Sequence, residues 1–151
     1  NKFKLDRLIN REVKIKKKYF LGICLGMQLL ADYSTENEIT QGLGLISGKV
    51  IKMKSNNKVR VPHVGWNNIK FNKENKLFKN IIPNANFYFD HSYKFLPKDM
   101  KCIKATTRYG ETFTSIVNKG NIYGTQFHPE KSQRNGLKIL RNFSNLVNLH
   151  E

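Results

Sequence analysis

The sequence predicts an α/β domain whose second half consists largely of β-strands. Two patterns carry this prediction. Apolar residues recur at helical spacing near both ends of the chain, while glycine turns separate short β-branched and aromatic runs after Gly42. No linker, repeat or low-complexity segment divides the 151 residues. Because this length supports one core, we interpret residues 1–151 as a single domain.

The first elements form a helix–strand–turn–helix passage. Apolar residues lie on one side of a helix predicted over Lys4–Lys18, and the run Tyr19–Ile23 is typical of a short buried strand. Leucines at helical spacing predict a second helix within Leu25–Thr35. Such a passage favours an α/β sheet core.

Glycine and proline mark the turns of the β-rich half. Pro62 and Gly65 predict a turn between two strands, and Phe87–Asp90 is typical of another strand. Further strands are separated by turns at Tyr109–Gly110 and Lys119–Asn121.

A last helix is predicted near the C-terminal end of the sequence. Its apolar stripe consists of Leu137, Leu140, Phe143 and Val147, with Ser132 as the N-cap.

The composition argues against several classes of protein. The net charge of +16 permits nucleic-acid binding, but only Arg11–Lys18 is a dense basic run and no nucleic-acid-binding motif accompanies it. Two cysteines are too few for a disulfide framework and suggest reduced thiols in a cytosolic protein. No apolar run is long enough to span a bilayer, and no metal-binding spacing is present. We therefore expect a cytoplasmic protein without metal, cofactor, membrane or specific nucleic-acid partner.

A cysteine lies between two glycines where the first strand gives way to a helix. The sequence Gly22-Ile-Cys24-Leu25-Gly26 has the G-x-C-x-G form of a nucleophile elbow, in which a strained turn exposes the apical side chain. The helix that begins at Leu25 favours a thiolate at Cys24, and the Leu25 N–H lies where an oxyanion donor is needed. A buried structural cysteine is the alternative interpretation.

A candidate base lies far downstream. His128 and Glu130 follow a strand-like run and flank Pro129, which restrains His128 to an extended conformation. Residues two apart in an extended chain point to the same side, so Glu130 can orient the imidazole. A surface His-Pro-Glu turn is the alternative, but the elbow and this motif together have the order of Cys-His-Glu catalysis.

Four ordered segments resemble a known family. "GICLGMQLL" and "GTQFHPEKS" are similar to the two signatures of class I, triad-type glutamine amidotransferases. "VPHVGWN" and "DHSYKF" resemble segments of the glutaminase subunits of imidazole glycerol phosphate synthase. The resemblance covers nearly the whole chain. It implies a flavodoxin-like central sheet flanked by helices, with additional strands in the second half.

The resemblance also implies a mechanism and a set of roles. Glutamine is hydrolysed to glutamate and ammonia, and the ammonia passes to a partner cyclase or synthase in a heterodimer, in histidine biosynthesis. No cofactor or metal is needed. The implied roles are catalysis for Cys24, His128 and Glu130; an oxyanion donor in the Leu25 N–H; substrate binding for Gln28, His91, Ser92 and Tyr93; and a position near the partner for His63 and Trp66.

Several of these residues also have structural interpretations. From the sequence alone, Trp66 is equally well a core residue, and His63 and His91 are more often structural histidines. Gln28 could be a solvent-facing helix residue. Cys102 lies among β-branched residues without a nearby histidine motif, so we predict a structural role for it.

The sequence departs from the family pattern at its start. The resemblance implies a strand, a helix and a loop similar to "PGVG" before the helix that leads to the elbow, and none lies upstream of Cys24. We therefore expect an N-terminally truncated domain without the first strands and oxyanion loop. Because loss of one oxyanion donor commonly costs about 10²–10³ in rate, we expect weak or no activity from the chain alone.

Other functions remain open at this stage. A paralogue that feeds ammonia to a surface-polysaccharide sugar-aminating synthase would share the same catalytic motifs. A basic nucleic-acid-binding module would retain its salt-dependent affinity without Cys24. A hydrolase or peptidase would share the triad, but Gln28 and the segment His91–Tyr93 match a glutamine pocket.

Overall fold

Two β-sheets and a two-stranded ribbon form the architecture, with three α-helices placed around them in the part of the chain that the structure describes. The computed structural model describes residues 4–55, 57, 59–72 and 75–148. Its helices are α1 (Leu5–Asn10), α2 (Leu25–Gln28) and α3 (Gln133–Asn148), with a π-helical turn (Arg11–Ile15) after α1 and 3₁₀ turns at Lys76–Phe78, Met100–Cys102 and Pro129–Lys131.

The strands divide into three groups. The first sheet has the order β1-β11-β10-β9-β6, the second has the order β3-β2-β4-β8, and β5 pairs with β7 in the ribbon. The strand bounds are β1 (Phe20–Ile23), β2 (Tyr33–Ser34), β3 (Thr40–Gln41), β4 (Gly48–Lys52), β5 (His63–Asn68), β6 (Lys70–Phe71), β7 (Asn86–His91), β8 (Tyr93–Pro97), β9 (Ile103–Tyr109), β10 (Glu111–Lys119) and β11 (Ile122–Thr125).

The first sheet separates two hydrophobic cores. Consecutive residues Ile122 and Tyr123 of β11 belong to different cores, as alternation along a strand requires. One core lies between this sheet, the ribbon and α3, and it contains the buried rings of Phe87, Phe89 and Phe127. The other lies against α2 and the second sheet. The mixed α/β fold agrees with the class predicted from the sequence.

The predicted strands and turns are largely confirmed, with one correction. β1, β7 and the turns after β9 and β10 lie where the sequence indicates. Gly65 does not form a turn, because β5 runs through it from His63 to Asn68 with a Gly65 φ of 133°. Glycine tolerates this φ, so the strand continues where a turn was expected.

The helices differ more from the predictions. The second helix ends at Gln28, because the chain enters β2 at Tyr33 and cannot continue helically to Thr35. In α3 the buried face contains Gly136, Ile139, Asn142 and Leu146, whereas the predicted stripe residue Leu137 is 61% exposed. Phe143 of the predicted stripe does pack against the ribbon core, and Leu140 and Val147 are partly buried, so the buried face is the neighbouring one and overlaps the prediction in part.

The ends of the chain supply two further observations. Ser132 directly precedes α3, but its hydroxyl donates to the His128 carbonyl and accepts from the Tyr88 N–H, so it bonds to the residue before the 3₁₀ turn and to β7. In the predicted first helix only Val13 is buried, whereas Leu5 and Leu8 are about half exposed.

Within the described residues, no helix is both long and apolar enough to cross a membrane.

Candidate active site

The sharp turn predicted at Cys24 is present. β1 ends at Ile23, α2 begins at Leu25, and Cys24 between them has φ 50° and ψ −105°. Its N–H donates to the Thr125 carbonyl at 2.7 Å, which joins the elbow to β11. Positive φ in a non-glycine residue costs of order 1–3 kcal/mol and persists where the surroundings impose it.

One of the two flanking glycines is sterically required. A Cβ on Gly22 would lie 2.4 Å from the Gly26 carbonyl oxygen and 2.8 Å from the Met27 nitrogen. A Cβ on Gly26 would meet nothing within 4 Å. The G-x-C-x-G turn therefore requires glycine at position 22 and tolerates a larger residue at position 26.

The predicted base and its carboxylate are in direct contact. The Nδ1 of His128 lies 2.7 Å from Oε1 of Glu130, and His128 is extended, with φ −94° and ψ 97°. Contact between the two side chains arises from the 3₁₀ turn Pro129–Lys131 rather than from the extended geometry that we expected. The His128 N–H donates to the Tyr88 carbonyl, so the ribbon also holds the base.

Cys24 and His128 follow two neighbouring strands at the same edge of the first sheet. β1 and β11 are parallel neighbours with Ile23 opposite Thr125, and both chains continue past this pair at their carboxyl ends. Cys24 follows Ile23 at once, and His128 comes three residues after Thr125. Carboxyl ends of parallel strands are where α/β sheets place functional groups.

The sulfur of Cys24 lies among competing polar groups. Its thiol donates to the Asp90 carbonyl at 3.6 Å. Burial raises the pKa of Cys24, and the charges of Asp90 and Glu130 raise it further, while the Leu25 N–H and the Gln126 amide oppose this shift. The thiolate expected from the position of the helix is thus not the favoured form here, because burial outweighs the donors. A base must remove the proton.

Gln28 is buried rather than solvent-facing. Its Nε2 donates to the Tyr93 carbonyl at 2.9 Å and to Oε1 of Gln126 at 3.1 Å. Gln126 is fully buried, and its Nε2 lies 3.8 Å from Cys24 Sγ. Sequence reasoning missed Gln126. The available signal was an amide side chain directly after β11, two residues before His128.

The segment His91–Tyr93 adjoins these groups. His91 is buried, its Nδ1 donates to the Tyr93 carbonyl at 2.8 Å, and Ser92 accepts the Met53 N–H at its carbonyl. The Tyr93 carbonyl therefore receives both His91 and Gln28. Burial lowers the pKa of His91 to about 4, so its imidazole is neutral near neutral pH.

A cavity of about 200 Å³ lies along α2, beside the elbow. It is lined by Leu25 and Gln28 on the α2 side and by Ser34, Glu36 and Thr40 among residues from the second sheet and its connections. Glu36 is the one charged residue among these described lining residues. Such a cavity offers a carboxylate to a cationic group of a small polar ligand.

The two residues that resemblance placed near a partner occupy different environments. Trp66 on β5 is 49% exposed and contacts Tyr88 edge-to-face with ring centroids 6.0 Å apart. His63 is only 2% exposed, and its ring stacks on Tyr109 at 4.0 Å and on Phe89 at 4.9 Å. Trp66 can reach a partner directly, whereas His63 lies beneath that surface.

Comparison with known proteins gives the family. The sequence model described as glutamine amidotransferase class-I matches residues 3–146. The chain belongs to the class-I glutamine amidotransferase family. A curated relative of this amidotransferase, imidazole glycerol phosphate synthase subunit HisH 2 of Methanococcus maripaludis, is 50% identical over 90% of the chain and 67% of its own length. The HisH subunit of Pelagibacter ubique is also 50% identical, over 94% of the chain and 69% of its own length.

Solved structures agree with this assignment at the level of the fold. A crystal structure described as a glutamine amidotransferase has a TM-score of 0.69 at 18% identity, and the match covers 97% of this chain and 70% of the other. The crystal structure of a glutamine amidotransferase from Thermotoga maritima has a TM-score of 0.59 at 22% identity, with 97% and 55% of the two chains covered. The chain spans about two thirds of the length of the curated relatives above.

Within the described residues, no group of three or more histidine, cysteine or acidic side chains could hold a metal ion.

Proposed function

We propose that the chain hydrolyses glutamine to glutamate and ammonia with Cys24 as nucleophile, His128 as general base and acid, and Glu130 as the residue that orients His128. The observation that carries this proposal is the 2.7 Å contact between His128 and Glu130 at the sheet edge where Cys24 occupies a strained elbow. The relatives named as HisH subunits, at half identity, support the same reaction class.

Proton transfer begins the reaction. Glu130 accepts the hydrogen bond from Nδ1–H of His128, which leaves Nε2 of the imidazole free to take the Cys24 proton. The resulting imidazolium is stabilised by the Glu130 carboxylate. Because burial raises the pKa of Cys24, the thiolate forms through this transfer rather than by spontaneous ionisation.

The thiolate then attacks the side-chain amide carbon of glutamine. The carbonyl oxygen becomes an oxyanion, to which the Leu25 N–H donates. His128 returns its proton to the departing nitrogen, so ammonia leaves and a thioester remains on Cys24. A water molecule deprotonated by His128 attacks the thioester, and glutamate is released with the thiol restored.

The cavity beside α2 suits the rest of the substrate. The Glu36 carboxylate complements the α-ammonium group of glutamine, and Gln28 and the cavity's hydroxyl-bearing residues offer hydrogen bonds to polar atoms. We propose that Gln28, which lines the cavity, and the segment His91–Tyr93, which is bonded to Gln28, bind the part of the substrate nearest Cys24. Their bonds to each other hold these groups rigid before substrate enters.

A partner surface adjoins the site. The outer face of the β5–β7 ribbon exposes Val64 and Trp66 beside Tyr88, whose carbonyl binds the His128 N–H. Exposed aromatic and aliphatic groups of this kind are typical interface anchors. We propose that this face contacts a cyclase subunit in a cytoplasmic heterodimer that makes imidazole glycerol phosphate in histidine biosynthesis, so that ammonia is released toward the enzyme that consumes it.

The test measures glutamate release from glutamine by the chain together with the cyclase subunit. We expect turnover that Cys24→Ala abolishes, and an absence of glutamate release with the intact chain and its cyclase would contradict the proposal. For the interface, Trp66→Ala should weaken complex formation in analytical ultracentrifugation at least tenfold, by roughly 1.4 kcal/mol or more. Met100→Ala removes another exposed apolar side chain and should leave binding unchanged.

A further inference from the structure

A series of buried hydrogen bonds reaches the sulfur of Cys24 from inside the fold. Gln126 lies at its end, fully buried, with Nε2 3.8 Å from Cys24 Sγ and Oε1 3.1 Å from Nε2 of Gln28. Because Gln126 is fully buried, its amide reaches the sulfur from within the fold rather than from solvent.

The direction of each amide is determined by its neighbours. The Tyr93 carbonyl can only accept, so the Gln28 atom 2.9 Å away must be the NH₂ group. The other hydrogen of that NH₂ points to Gln126, which must present its carbonyl oxygen to Gln28. Gln126 consequently has its own NH₂ group left for Cys24. Rotating this amide by 180° would place two donors against each other.

Two neutral histidines support the same arrangement. His91 must donate from Nδ1 to the Tyr93 carbonyl, so its Nε2 accepts from Nδ1 of His63 at 3.2 Å. Nε2 of His63 then accepts from Nδ2 of Asn67 at 3.3 Å. Every ring nitrogen has one role, which is possible only while both imidazoles are uncharged. The Tyr93 carbonyl is thus held by donors from two directions.

We infer that Gln126 is a positioning residue that controls the reactivity of Cys24 by donating a hydrogen bond to its sulfur. In the thiol form the sulfur proton donates to the Asp90 carbonyl. When His128 removes that proton, the bond to Asp90 is lost and the sulfur becomes a stronger acceptor for Gln126 and the Leu25 N–H. The inference rests on the proposed role of Cys24 as nucleophile.

The charge balance around the sulfur explains why such a donor matters. Burial and the negative charges of Asp90 and Glu130 disfavour the thiolate, and the Gln126 amide acts in the opposite direction. A buried glutamine that only filled space could be replaced by an apolar residue of similar length. The two interpretations therefore predict different results for the ionisation of Cys24.

The experiment follows alkylation of Cys24 by iodoacetamide as a function of pH, with the modified peptide identified by mass spectrometry. Iodoacetamide needs no glutamine pocket, so the rate reports thiolate formation alone. Gln126→Met keeps the length of the side chain and removes the donor. We expect roughly tenfold slower alkylation near neutral pH, equivalent to about one unit of thiol pKa, with the same limiting rate at high pH.

A control and a second variant complete the design. Asn142→Leu removes another buried amide, which donates to the Leu77 and Lys79 carbonyls far from the elbow along the chain, and should leave the alkylation profile unchanged. Gln126→Leu removes the donor that faces the sulfur without adding a charge, and it should shift the profile in the same direction as Gln126→Met. It provides the test if the methionine variant does not fold.

Glutamine hydrolysis with the cyclase subunit supplies a separate readout. Because Gln126 acts on the sulfur, Gln126→Met should lower kcat about tenfold, whereas a rise in KM with kcat unchanged would mean that Gln126 only supports Gln28 and would contradict the inference. An unshifted alkylation profile in both Gln126 variants would overturn the inference. If the profile shifts but the intact chain with its cyclase releases no glutamate, the positioning role stands and the proposed function is wrong.

Discussion

The two cysteines show how neighbours determine the chemistry of one side chain. Cys24 follows β1 and Cys102 precedes β9, both are free thiols, and burial raises the pKa of each. Cys24 has backbone and side-chain N–H donors beside its sulfur, whereas Cys102 lies 4.0 Å from a carboxylate oxygen of Asp99. Burial alone therefore does not separate Cys24, the proposed nucleophile, from Cys102, but the N–H donors around the Cys24 sulfur do.

The largest expected difference between the two cysteines is in catalysis. Cys24→Ala should lower glutamate release by at least about 10⁴-fold, because removal of a nucleophile leaves only binding and oxyanion stabilisation. The measurement is a coupled glutamate assay in the presence of the cyclase subunit. Comparable turnover in Cys24→Ala would remove the distinction between the two thiols.

Substitution of the carboxylate near each sulfur should also affect glutamate release to different extents. Glu130→Gln removes the charge that orients and stabilises His128 and should lower kcat by roughly 10²–10⁴-fold. Glu130→Asp keeps the charge with a shorter reach and should retain more activity. Asp99→Asn beside Cys102 is the matched control, and a loss in that variant as large as that in Glu130→Gln would argue against the assignment.

The neutral histidine pair near the elbow has no counterpart at Cys102. Burial lowers the pKa of His63 and His91 to about 4, below the ordinary histidine value of 6.5. The unfolded chain binds protons first as pH falls, so the free energy of unfolding is undiminished above pH 6.5 and declines toward pH 4. The loss should be roughly 3 kcal/mol for the pair, after allowing for solvent screening.

Denaturant unfolding at about pH 7 and about pH 4.5 measures this loss. His63→Phe replaces a ring that stacks between Tyr109 and Phe89, and it should make the pH dependence shallower. An unfolding free energy that does not change between these two pH values in the unsubstituted chain would show that the pair is not held neutral.

The backbone at the elbow supplies another contrast. Gly22→Ala should destabilise the chain by about 2–3 kcal/mol, because its Cβ would meet backbone atoms that cannot move independently. Gly26→Ala, where a Cβ meets nothing within 4 Å, is the matched control and should be neutral or slightly stabilising. Equal unfolding free energies for the two variants would contradict the steric account of the turn.

The smallest effect should come from the other thiol. Cys102 is buried in the core that also contains Val117 and Ile122, so Cys102→Ser should cost about 1 kcal/mol of stability. Glutamate release should stay within about twofold of the unsubstituted chain, since the change removes no group near Cys24. A larger loss of activity would give Cys102 a role that its surroundings do not predict.

Local signals in the sequence predicted the turn at Cys24 and the contact between His128 and Glu130. The glycines around Cys24 and the proline between His128 and Glu130 constrain the backbone within a few residues, so their effect is visible in the sequence. Gln126 was missed because its role depends on the pairing of β1 with β11 and on contact with Gln28, across 98 residues. Such contacts arise from the pairing of segments that are distant in the chain, which no local pattern in the sequence shows.

Dependence on distant contacts also explains where the predicted helices and turns differ from the structure. The short length of α2 and the buried face of α3 follow from what each helix packs against, and apolar spacing alone made α2 too long and located the α3 face only in part. Gly65 was assigned to a turn because glycine is common there, but pairing of β5 with β7 holds it in a strand.

The most direct test of the central claim labels the chain with a glutamine-like electrophile such as a chloroketone analogue and locates the adduct by mass spectrometry. Our account predicts one adduct, on Cys24, formed more slowly when glutamine competes and accompanied by a proportional loss of glutamate release. Preferential modification of Cys102, or labelling of Cys24 that glutamine does not slow, would contradict it.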